Sequence, residues 1–138
     1  MAINITSRDA RGSIILPAGW YIIEVDSMTT APAKTDGSTN YNYKLRVLGD
    51  VKGSDEFADV PVKQFLINEK GLFASGVAFF AAIDPDVKAA VEALKKDRKA
   101  PALPIDENAP VGKQMKAKIQ PSTYEGRTSN EAVDFLPL

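Results

Sequence analysis

Apolar and polar residues alternate along several stretches of this chain, and alternation with period two marks a half-buried β-strand. From Gly19 to Met28, Tyr21, Ile23 and Val25 fall on one side; Trp20, Ile22, Glu24 and Asp26 fall on the other. From Tyr41 to Leu48, Tyr41, Tyr43, Leu45 and Val47 share one face; Asn42, Lys44, Arg46 and Leu48 share the other. A third run, Asp59 to Ile67, sets Val60, Val62 and Leu66 against Lys63, Phe65 and Ile67, and its Pro61 suggests an edge or a bulge. In Val111 to Gln120, Met115, Ala117 and Ile119 oppose Gln114, Lys116, Lys118 and Gln120. A turn over Pro121 to Arg127 then leads to a last strand, in which Ala132 and Asp134 alternate with Val133 and Phe135.

Between the third and fourth strands the period lengthens. Leu72, Phe73, Val77, Phe80 and Ala81 recur at three and four residues, which predicts a mostly buried helix over Glu69 to Ala82. Asp84 suits an N-cap and Pro85 a first turn, so a second helix follows, with Val87, Val91 and Leu94 as its apolar stripe. It ends before Pro101, and a proline-rich connector leads on to the fourth strand. Residues 1–13 lack periodicity and read as a flexible arm. Thr29 to Asn40, rich in turn formers, reads as a long mobile connection. Five strands with helices between the third and fourth are the layout of an OB-fold barrel, an all-β domain here spanning 1–138.

Composition narrows the chemistry. The chain has 44% hydrophobic and 25% charged residues, as a globular domain does, and no run approaches the roughly 18 apolar residues of a membrane span. The opening "MAINITSRDARGS" lacks a signal peptide's apolar centre, so the expected compartment is the cytoplasm, that of a host cell if the chain is phage-encoded. Cysteine and histidine are absent, which removes thiol chemistry, disulfides, the commonest general base and the commonest zinc ligands. Gly112-Lys113 fails as a phosphate loop, since Glu107 and Gln114 stand where Gly and Ser or Thr are required. No enzyme, cofactor or metal is expected.

The net charge of −1 opposes a dedicated duplex binder, but the charge is uneven. Lysines collect on the second and fourth strands, acidic residues in 50–59 and 84–107. In an OB fold the loops joining strands one to two and four to five flank the binding groove. This assigns Lys34, Lys44, Arg46, Lys63, Lys116, Lys118 and Arg127 to backbone phosphates, and Tyr124 to base stacking. Tyr41, Phe65 and Trp20 stay open between core and stacking, and Tyr41 and Phe65 join the candidate set.

The stretches "PAGWYIIEVDSM", "NYKLRVLGD" and "GKQMKAKIQPSTYEGRTSNEAVDF" resemble the small OB-fold single-stranded DNA-binding proteins of bacteriophages. The shared features are Pro17, Gly19 and Tyr21 at the first strand, Gly112 and Lys113 before the fourth, and Tyr124, Gly126, Arg127 and Asn130 at the last turn. The resemblance implies largely sequence-independent binding of single-stranded DNA in phage replication or recombination. Phage or host replication and recombination proteins would be further partners, docking elsewhere than on an acidic tail, since the chain closes on "AVDFLPL". Oligomeric state is open. The rival expectation is a small β-barrel acting in protein interaction or virion structure without nucleic acid.

Overall fold

The computed structural model describes residues 2–138, and Met1, the start of the expected arm, lies outside them. The elements are α1 (Ser7–Arg11), β1 (Gly19–Pro32), β2 (Thr39–Asp50), β3 (Phe65–Asn68), α2 (Ala74–Ala81), α3 (Pro85–Lys96), β4 (Gln114–Tyr124) and β5 (Arg127–Leu136). The strands form one five-stranded antiparallel sheet in the order β3-β2-β1-β4-β5. Its inner face carries Tyr21, Ile23, Val25, Tyr43, Leu45, Val47, Met115, Ala117 and Ile119, all buried and all as the alternation predicts.

Several expectations are corrected. The arm contains α1, whose N-cap Thr6 forms a capping box with Asp9, and the Arg11 guanidinium donates to the carbonyls of Glu56 and Ala58. Half of the connection Thr29 to Asn40 is ladder, leaving a tip of 33–38. That tip is held: Asn68 donates to Ser38 Oγ (2.9 Å) and Asn40 Oδ1 (2.7 Å), and Lys70 pairs with Asp36 at 3.3 Å. The third strand is only Phe65–Asn68. Residues 59–64 run irregularly, and the alternation slips by one between Val62 and Phe65, so Val60 and Val62 face the core and then Phe65 and Ile67 do, with Leu66 outward.

The expected helix over Glu69 to Ala82 begins only at Ala74, and Leu72 and Phe73 are exposed rather than buried. Within α2 the fully buried ring is Phe79, while Phe80 is half-buried. Phe79 lies 4.8 Å from Tyr43, 4.9 Å from Phe65 and 5.0 Å from Phe135, ring centre to ring centre. α3 starts as expected, Asp84 accepting from the Val87 amide at 2.8 Å with Pro85 in the first turn. In β5 a bulge leaves Val133 unpaired, so Ala132 and Phe135 both turn inward.

The ladder stops at β3 and β5, its two edges. Among the described residues their one backbone link is the Lys63 amide donating to the Asn130 carbonyl at 2.8 Å. The buried Asn130 side chain reinforces it. Its Oδ1 accepts from the Leu16 amide (2.8 Å), and its Nδ2 donates to the carbonyls of Ile14 (3.0 Å) and Pro61 (2.9 Å).

Three outcomes follow from this packing. Phe79→Ala removes the ring that touches four other aromatics and is expected to destabilise by about 3–5 kcal/mol, clearly more than Phe80→Ala, in denaturant melts. Asn130→Ala strands a buried amide and two carbonyls and is expected to cost about 2–4 kcal/mol. Asn130→Asp should do no better, because a carboxylate cannot donate to the Ile14 and Pro61 carbonyls. The Tyr43 phenol donates to the Glu107 carbonyl at 2.6 Å, and burial, followed by the charge of Glu107, pushes its pKa from 10.0 up to about 12. A raised acid pKa leaves stability whole below pH 10 and removes it as pH climbs toward 12. Melts of Tyr43→Phe and parent from pH 9 to pH 12 should therefore show the parent losing ground only above about pH 10; parallel curves throughout would contradict this.

Candidate nucleic-acid interface

Register fixes which side chains share the sheet's outer face, the one turned from the core. Arg46 sits opposite Glu24 and Lys44 opposite Ser27; on β1's other flank Glu24 meets Gln114, Ile22 meets Lys116 and Trp20 meets Lys118. Further along, Lys118 faces Asp134, Gln120 faces Glu131 and Tyr124 faces Arg127. Lys44, Arg46, Lys116, Lys118, Tyr124 and Arg127 thus belong to one face, as expected, and Trp20 joins them.

The β4–β5 hairpin outruns the sheet. The last residue of β4 paired with β1 is Ile119, yet β4 continues to Tyr124. Pro121 is accommodated because its strand has no neighbour there on the β1 side, and its β5 partner, Asn130, turns its carbonyl away to Lys63. The turn is only Glu125-Gly126, at φ 49° and 78°, in place of the expected Pro121 to Arg127 loop. Positive φ at both positions is the two-residue hairpin geometry whose twist matches the strands. Tyr124 and Arg127 are therefore paired strand residues at the end of a stiff arm, and Tyr124 is 71% exposed. At about 3.4 Å per residue, Lys116 to Tyr124 makes a track roughly 27 Å long.

Electrostatics divides this face. Arg46 Nε bonds Asp59 at 2.6 Å; that hydrogen bond holds the Asp59 carboxyl below its usual range and raises the Arg46 guanidinium. With Glu24 and Asp26 nearby as well, Arg46 is a neutralised cation. Lys44, Lys116, Lys118 and Arg127 form no ion pair among the described residues. Asp134 and Glu131 on β5 temper the track without pairing directly to it.

Four candidates stand apart. Tyr41 and Phe65 lie on the inner face: Tyr41 packs against the core and lines a cleft with Phe80 and Leu103, and Phe65 contacts the rings of Phe79 and Phe135. Their place opposite the lysines removes both from the track. Lys34 sits in the β1–β2 tip, beyond the other end of β1 from Tyr124. Lys63 precedes β3 and lines a groove of about 480 Å³ between β3 and β5, with Asn42, Leu66 and Glu131. Alternation put Trp20 on the side of Glu24 and Asp26 but left it open between core and stacking; its place beside Lys118 needed the register. Among the described residues no group of three or more acidic side chains could hold a metal ion, and no helix is long and apolar enough to cross a membrane.

No protein-family model matches the chain, and no curated protein matches it either, so the outer face is interpreted from its own geometry.

Proposed function

We propose that this chain binds single-stranded DNA with little sequence preference, as an OB-fold protein of phage replication or recombination. The observation that carries the reading is the β4–β5 arm: Lys116, Lys118, Tyr124 and Arg127 follow one another along one face, with Trp20 beside Lys118. Cations spaced along a strand hold phosphates, and exposed rings offer a surface to unpaired bases of any identity. The OB-fold assignment draws on the strand order, the helices between β3 and β4, and the approach of β3's lead-in to β5 through Lys63 and Asn130. The phage setting rests on the sequence resemblance alone.

A second reading, a protein-interaction module without nucleic acid, is favoured by one observation, the exposed apolar residues Leu66, Leu72 and Phe73.

Titration with a labelled oligonucleotide decides between them. With Lys44, Lys116, Lys118 and Arg127 as phosphate partners, log affinity is expected to fall with log salt at a slope of about −3, and duplex to bind more weakly. Tyr124→Ala should lose about 1–2 kcal/mol of binding, largely independent of salt, with an unchanged melt. Arg127→Ala should lower affinity and reduce the slope by about 0.7. Arg46→Ala should leave the slope nearly unaltered. No binding at low salt, or equal affinity for duplex and single strand, would refute the proposal.

A further inference from the structure

Two apolar features of this chain lack cover. One is the segment Ala2–Ile5, whose Ile3 and Ile5 are 92% and 78% exposed. Two positions apart, they share a face whenever the segment is extended, and β-branched residues favour that conformation. The other borders β3. Leu66 on the outer face and Leu72 and Phe73 from the lead-in to α2 are 55%, 50% and 82% exposed. They surround a small cleft of about 70 Å³ that Ile67 and Gly76 also line. Isolated exposed hydrophobes are ordinary, but a contiguous group beside the edge of a sheet marks an interaction surface.

We infer that a second copy of this chain covers both: segment Ala2–Ile5 of each copy lies extended along β3 of the other, with Ile3 and Ile5 against Leu66, Leu72 and Phe73. The segment departs from a fixed point. The capping box at Thr6 begins α1, and Arg11 ties that helix to residues 56 and 58. The side chains of residues 2–5 carry no charge, so laying them on the patch desolvates no charged side chain. The exchange is reciprocal, which closes the pair with two-fold symmetry. With large side chains at on the order of 150–200 Å² each, the two arms and two patches together remove roughly 1,200 Å² from water, the lower bound for a stable interface. The arm track is not used, so assembly and oligonucleotide binding are separable.

The chain contains no cysteine, so introduced pairs report cleanly. Copies carrying Ile5→Cys, mixed with copies carrying Phe73→Cys and oxidised, are expected to give a disulfide-linked pair several-fold more efficiently than Ile5→Cys mixed with Glu92→Cys, an exposed position on α3. Analytical ultracentrifugation of the unaltered chain should show a concentration-dependent dimer, and Ile3→Ser/Ile5→Ser should weaken it at least tenfold while leaving unchanged the melt taken at concentrations where the parent is monomeric. A monomer at every concentration would overturn the inference. So would a chain with both Ile5→Cys and Phe73→Cys closing a disulfide within itself, which would place the segment on its own molecule. Phe73→Ser weakening oligonucleotide binding while leaving assembly intact would likewise reject it, making the patch a stacking surface.

Discussion

One buried amide, Asn130, joins runs of backbone that no ladder connects. Its oxygen and nitrogen reach Leu16 and Ile14 before β1 and Pro61 before β3, while its own carbonyl takes the Lys63 amide. These runs approach β5 from distant parts of the sequence, and buried backbone groups there need partners. Because β3 is only four residues long, its lead-in could not be held by strand pairing alone. The amide supplies what the ladder lacks and leaves the aromatic cluster of Phe65, Phe79 and Phe135 to fill the space beneath.

The motifs that suggested a family have structural occupations of their own. Tyr21, at the start of β1, donates its phenol to the Pro17 carbonyl at 2.6 Å, fixing the chain's approach to the sheet. Gly112, at φ 83°, donates to the Val25 carbonyl at 2.7 Å, and Val25 donates to Lys113 at 2.9 Å, so this pair seats β4 against β1. Asn130 is the hub just described. Tyr124 and Arg127, exposed at the end of the arm, have no packing role to account for them. The other positions serve this chain's own backbone, and the proposed DNA binding draws on the arm.

The arm also shows how stiffness and exposure are reconciled. A projecting hairpin usually frays, since a two-stranded ribbon is marginal in water. Here the turn has the favoured geometry, Thr123 and Thr128 hydroxyls meet at 3.0 Å across the strands, and the base is clamped where Asn130 enters the core. An aromatic and a cation are thereby held in place without being buried.

Period-two alternation determined the inward residues of β1 from Tyr21 to Val25, of β2 from Tyr43 to Val47 and of β4 from Met115 to Ile119, because one face of each of these runs is buried. Asp84 and Pro85 likewise announced α3. Tertiary structure decided the rest. The slip between Val62 and Phe65 sets which side of β3 faces the core, and the bulge at Val133 moves Phe135 to the core; neither has a local signature. Phe73 carries helical periodicity yet is exposed, because α2 starts one residue later and its face belongs to Phe79. The lysines of the track could be read from the sequence as one strand's outer face. That Trp20 stands beside them, that Asp59 neutralises Arg46, and that Tyr41 and Phe65 turn away depend on strand neighbours far apart in the chain, which pairing alone brings together.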